Sequence, residues 1–263
     1  MPNATQFHHD LALLDWHLEL GADEAIGETP IDRYALEKPA PKPISSPKSE
    51  TSPEHITPLA AEPAAFDSTP LAQSCDSLEA LRRAIEAFDH CALKQGARNT
   101  VFCDGNPNAR VMIIGEAPGR EEDKAGKPFI GRAGQLLDKM FAAIGLSRHE
   151  DSPESSIYIT NVLPWRPPQN RDPKPEEMAL MKPFLLRHIE LAQPEFIVTM
   201  GNASTKTLRD TTLGITKFRG QWGEVLGTPA LPLFHPAYLL RAPEQKRLAW
   251  ADLLSLKSRL DGK

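Results

Sequence analysis

The stretch Val111-Met112-Ile113-Ile114-Gly115-Glu116-Ala117-Pro118-Gly119 constrains this chain more than any other. Four apolar residues, three of them β-branched, predict a short buried strand. Gly, Pro and Gly then end it abruptly, with a carboxylate on the break. An α/β protein places its active site at such a strand end, at the carboxyl edge of the sheet. A solvated turn with an incidental Glu has the same local pattern, so the segment needs its neighbours to decide its meaning.

Those neighbours repeat the theme. Ile157–Leu163 is a second predicted strand, ended by Pro164-Trp165-Arg166-Pro167-Pro168, which continues no sheet. Phe196–Met200 is a third, closed by Gly201, and Leu231–Phe234 a last short one, running into His235-Pro236. Helical spacing covers Ser77–Phe88, Gly131–Leu146, Lys174–Leu191 with Pro175 in its first turn, a short piece from Ser204 to Leu208, and Lys246–Leu260. Residues 120–128 are charged and contain Gly, so they read as a loop. Strands alternating with helices from about residue 110 imply a three-layer α/β/α sandwich around a mostly parallel four-stranded sheet. Right-handed crossovers put every strand-end loop on one rim. That rim collects Glu116, Asn161, Gly201-Asn202 and His235.

Upstream, the composition changes. Residues 1–78 hold 4 Lys/Arg and 13 Asp/Glu, a balance of −9, and ten of the 25 prolines. The rest of the chain balances at +4, so the overall −5 conceals a mildly basic core compatible with a polyanion partner. Residues 10–20 have the apolar spacing of a short amphipathic helix, with Leu11, Leu14 and Leu18 on one face. Residues 28–74 are too poor in large apolar groups to offset their ordering entropy and read as a disordered linker. The expected division is a tail, 1–76, and a catalytic domain, 77–263. The 10–20 segment either docks on its own core, binds a protein partner or stays frayed.

Three cysteines, Cys75, Cys91 and Cys103, do not make a disulfide framework in 263 residues, and a reduced, cytoplasmic setting is expected. No apolar run is long enough to span a membrane, and the first 20 residues lack the pattern of a secretory signal.

Four blocks together carry a resemblance. They are Gly115–Gly119, Gly126-Lys127-Pro128-Phe129-Ile130-Gly131 with Arg132–Leu137, Thr160-Asn161-Val162 followed by Arg166-Pro167-Pro168 and Asn170-Arg171-Asp172-Pro173, and His235-Pro236-Ala237-Tyr238-Leu239-Leu240-Arg241. In order and spacing they resemble the uracil-DNA glycosylase superfamily, specifically its family-4 type, over about residues 88–258. The resemblance implies excision of uracil from DNA, and the residue types support the roles that this chemistry needs. Phe129 can stack on an extruded base. Asn161 carries both a donor and an acceptor for the uracil edge, a pattern that cytosine reverses. His235 is the donor for charge building on the ring, and Glu116 orients water or stabilises the sugar cation. Gly115 and Ala117 let the base approach closely. Leu239 and Leu240 can fill the gap left by the flipped base, Arg241 can hold a phosphate, and Pro128 and Pro167 can grip the strand. No lysine stands as a Schiff-base nucleophile, so a monofunctional, monomeric glycosylase is expected, with uracil-containing DNA as partner. A catalytically silent uracil- or DNA-binding module of the same fold is the alternative.

The resemblance also implies a four-cysteine iron–sulfur cluster, and here the chain departs from it. Cys91 keeps the first ligand position, but Lys94, Trp165 and Met181 stand at the other three. A cluster of this type needs four good ligands, so no cofactor and no metal are expected, with Trp165 and Met181 serving as core. His149 sits in an Arg-His-Glu-Asp context that reads as a plain solvent loop, not a covalent trap.

Overall fold

The computed structural model describes residues 66–262 apart from 210 and 212. The 10–20 segment and residues 28–65 of the expected linker lie outside them. The described residues belong to one compact unit, residues 60–263.

The sheet has six strands: β1 (Asp104–Gly105), β2 (Val111–Gly115), β3 (Ile157–Asn161), β4 (Phe196–Met200), β5 (Gly223–Val225) and β6 (Thr228–Leu233). Their spatial order is β1-β3-β2-β4-β6-β5. The inner four are parallel, and each edge adds a short antiparallel strand. The expected four-stranded count is therefore corrected to six. The two edge strands, of two and three residues, are too short for a period-2 pattern to show.

Strand β2 lies between β3 and β4, so the chain order reverses beside it. A crevice opens at the carboxyl ends of the strands at such a switch point. The register pairs Gly115 with Asn161 and Met200 with Leu233. Four strand ends thus finish side by side.

Alternate residues feed two cores, because successive side chains leave a strand on opposite faces. On one face, Met112, Ile114, Tyr158 and Ile197 pack against α1 (Thr69–Gln73), α2 (Leu78–Ala87) and α6 (Pro175–Ala192), joined by Trp165 and Met181. The short helix α3 (Leu93–Gly96) adds Leu93 to that core. On the other face, Val111, Ile113, Ile159 and Val198 meet Leu137 and Phe141 of α5 (Arg132–Ala142) and Leu253 and Leu256 of α10 (Lys246–Leu260). The three-layer α/β/α arrangement is the one the alternating pattern implies. Smaller helices α7 (Asn202–Arg209), α8 (Ile215–Phe218) and α9 (Pro236–Arg241) follow the ends of β4 and β6.

Two local readings are corrected. Residues 120–128 are not all loop: α4 spans Arg120–Ala125. Its signals are three acids in the first turn, which suit the helix dipole, and Gly126 in the left-handed conformation at φ 71° as its stop. The packed core also starts earlier than residue 77. Ser68, Ala72 and Cys75 are buried, and Ser68 Oγ donates to the Leu180 carbonyl at 2.6 Å.

Trp165 is 1 % exposed, and its indole Nε1 donates to Thr100 Oγ1 at 3.1 Å. Trp165→Ala is expected to cost about 3–5 kcal/mol in urea unfolding, the range for truncating a buried large aromatic. A change below about 1 kcal/mol would remove Trp165 from the core.

Candidate active site

The carboxyl rim of the sheet encloses a cavity of about 670 Å³. It is lined by Glu116 and Ala117 after β2, Asn161 at the end of β3, Gly201 and Asn202 after β4, and His235 after β6. Phe129, Pro167 and Arg241 complete the predicted residues found there. Residues far apart in sequence therefore converge as the parallel topology requires.

Gly115 makes the base of this cavity possible. A Cβ there would stand 2.3 Å from Asn161 Oδ1 and 2.4 Å from Phe129 Cε2, so any side chain would displace both groups. Asn161 is only 7 % exposed, and its Oδ1 is buried without a hydrogen-bond partner. A buried carbonyl oxygen left unpaired costs free energy until a donor reaches it. Phe129 is also buried and sits in the left-handed region at φ 52°, an uncommon conformation for a side chain of its size. Its ring faces His235 with centroids 5.4 Å apart and planes inclined by 30°.

His235 is the N-cap of α9, with Pro236 in the first turn. The ring Nδ1 accepts the Ala237 backbone N–H at 3.1 Å, so in the neutral ring the proton resides on Nε2. Burial, reinforced by the positive charge of Arg241 and opposed by Glu122, pulls its pKa down to about 4. The imidazole is thus a neutral N–H donor near pH 7. Gly201, at φ 89°, allows the end of β4 to pass beside this ring: a Cβ there would stand 3.0 Å from His235 Cβ.

Burial pushes the Glu116 carboxyl above its ordinary value, and the negative charge of Asp172 adds to the effect. Asp172 lines the same cavity. It belongs to the Asn170–Pro173 block, but sequence alone assigned it no task. Arg171, which lines the cavity as well, donates to both carboxylate oxygens of Glu177. Glu122 is another lining group that sequence reasoning missed. Its Oε1 accepts the Ile130 and Gly131 N–H groups at 3.0 and 2.9 Å, which fixes the start of α5.

Some predicted contacts are not on this surface. Leu239 is 1 % exposed and packs with Phe234 and Ala249, beneath the surface that a wedge in DNA would present. In α9 it faces inward, while Leu240, 37 % exposed, faces out. Pro128 is also buried, and its carbonyl accepts from Arg148. Arg148 itself is buried, contrary to the reading of its segment as a plain solvent loop; His149 is exposed.

The residues at the expected cluster positions do not fit an iron–sulfur group. Burial holds the Cys91 thiol in its protonated form, and Lys94 Nζ pairs with Asp89 at 2.5 Å. Trp165 offers an N–H donor, not a lone pair, and Met181 is 1 % exposed in the core. A void beside Met181 measures about 20 Å³, room for about one water molecule. Among the described residues no group of three His, Cys, Asp or Glu side chains is placed to hold a metal ion.

Comparison with known proteins agrees with this geometry. Residues 102–254 match the model of the uracil DNA glycosylase superfamily. A Type-4 uracil-DNA glycosylase of Thermotoga maritima is 38 % identical over 185 residues, covering 69 % of this chain and 93 % of the relative. One from Sulfurisphaera tokodaii is 37 % identical over 194 residues, covering 69 % and 84 %. A Type-5 uracil-DNA glycosylase of Pyrobaculum aerophilum is 31 % identical over 147 residues, covering 51 % and 64 %. With more than half its length matched by the family model, and with its strand ends converging on one cavity, this chain belongs to the uracil-DNA glycosylase superfamily.

Proposed function

We propose that the chain hydrolyses the N-glycosidic bond of deoxyuridine in DNA, as a monofunctional glycosylase that begins base excision repair. The observation that carries this reading is the buried, unpartnered Oδ1 of Asn161, which shares a cavity with the neutral donor His235. Uracil flipped into the cavity donates its N3–H to that oxygen, and its O4 accepts from the Asn161 amide. Cytosine has an acceptor at N3 and a donor at C4, so it repeats the mismatch on both atoms. The Phe129 ring supplies a stacking face.

As the C1′–N1 bond breaks, its electron pair moves onto the uracil ring. His235 Nε2–H stabilises that charge at O2 without transferring its proton, which suits a ring that is already neutral. Water then bonds to C1′ and gives up a proton, for which ionised Glu116 is the acceptor. The Glu116 and Asp172 carboxylates also favour positive charge on the sugar. Among the described residues no lysine lines the cavity, consistent with hydrolysis without a Schiff base. Arg241 at the cavity wall and the exposed Leu240 beside it on α9 supply a phosphate contact and an apolar wedge for the DNA around the flipped base.

His235→Ala is expected to lower kcat on a uracil-containing oligonucleotide by about 10²–10³-fold, with a much smaller effect on DNA affinity. Equal losses of rate and affinity would contradict a transition-state role. Wild-type protein in excess that leaves no abasic product would instead support a silent binding module.

The pH profile tests the acidic pair. Because the Glu116 pKa is raised, its carboxylate forms at a higher pH than that of an ordinary glutamate, and the acid limb of kcat is expected to shift upward with it. Asp172→Asn removes a repelling charge, so the limb moves to lower pH. An unchanged limb would separate the two acids. The corresponding stability contribution has the opposite sense: protonated Glu116 favours folding below its unfolded pKa, and this is lost as pH rises through the folded value.

We also propose that the enzyme works without an iron–sulfur cluster. Anaerobically purified protein is expected to lack visible charge-transfer absorbance and to unfold at the same temperature with or without a chelator. Stoichiometric iron would contradict this.

A further inference from the structure

We infer that Arg148 is a positioning residue that holds the aromatic floor of the cavity, Phe129, in its strained conformation. The inference rests on the glycosylase reading for its kinetic consequence, but its structural part stands apart from it. Arg148 lies in the connection between α5 and β3, outside the cavity lining. Its side chain is 4 % exposed.

The guanidinium donates to two successive carbonyls, Pro128 O and Phe129 O, each at 2.9 Å. The same group bonds Asp138 of α5 at 2.8 Å through Nε and Asp104 of β1 at 3.1 Å through Nη1. One planar cation therefore ties the floor of the cavity to a helix and to the edge of the sheet. A guanidinium suits this task because its donors are fixed in a rigid fork, which an ammonium does not reproduce.

The floor needs such a tie. Phe129 has φ 52°, so its backbone is held against its own preference. Next to it, Gly134 leaves no room for a side chain: a Cβ there would stand 1.7 Å from Phe129 O. From the other side, Glu122 accepts the next two N–H groups, of Ile130 and Gly131. Arg148 satisfies the carbonyls and Glu122 the amides, so the kink is fixed from both ends. Without Arg148, two buried carbonyls lose their donor and the loop has a reason to relax. The ring would then leave its place beside His235 and Asn161. Arg148 acts on the reaction only through Phe129.

A double-mutant cycle tests this. Arg148→Met removes the donors; the Asp138 side chain is already 41 % exposed, and Asp104 keeps Lys127 as a partner at 3.2 Å. Arg148→Met is expected to lower kcat on uracil-containing DNA about 10–100-fold with little change in KM, and Arg148→Lys to recover part of the loss. In a Phe129→Ala background, Arg148→Met should cost less than about 2-fold more, because the group it positions is gone. Equal costs in both backgrounds would overturn the inference. Proton–carbon NMR of the His235 ring supplies a second readout that needs no activity. Arg148→Met should shift its signals in the direction that Phe129→Ala does, and unchanged signals in a folded variant would overturn the inference. Wild-type protein without glycosylase activity would defeat the functional reading while leaving this spectroscopic test intact.

Discussion

The absence of a side chain at Gly115 is the constraint on which the site depends. It lies at the end of the central strand, in register with Asn161 of the neighbouring strand. Asn161 Oδ1 and the edge of Phe129 fill the space that a Cβ would take. The hydrophobic run before Gly115 fixes the strand, the parallel register fixes the height of Asn161, and the switch in strand order opens the cavity there. Fold and recognition are therefore coupled at a single atom position.

The electrostatics follow from the same burial. Asn161 is left with an unpaired acceptor, and His235 is held neutral with its proton on Nε2. Glu116 and Asp172 place negative charge in the same cavity. This combination offers donors to a base that gains negative charge and carboxylates to a sugar that gains positive charge. The positions where relatives of this type would place thiolates carry an ion-paired lysine, a buried indole and a buried thioether. The indole and the thioether belong to the core that packs against Tyr158 of β3.

Much of this was legible in the sequence because buried parallel strands announce themselves as apolar runs, and because parallel strands end on one rim. Glu116, Asn161 and His235 could be placed together on that basis alone. What was not legible depends on direction and on long-range partners. Leu239 and Leu240 are neighbours with the same composition, and only the packing of α9 shows which one faces inward. Helix α4 is shorter than two turns, so its capping signals competed with a loop-like composition. Arg148 looked like surface because charged residues usually are, yet its partners lie at residues 104, 128, 129 and 138, which no local pattern reveals.

The central claim is that the Asn161 amide reads the base. Single-turnover excision by Asn161→Asp, compared on uracil and cytosine in the same oligonucleotide, tests it most directly. A carboxylate keeps an acceptor but loses the amide donors that meet O4, and it can accept from the amino group of cytosine. The account predicts that uracil excision falls by about 10²-fold or more and that the preference for uracil over cytosine narrows. Unchanged uracil excision with unchanged selectivity would contradict it.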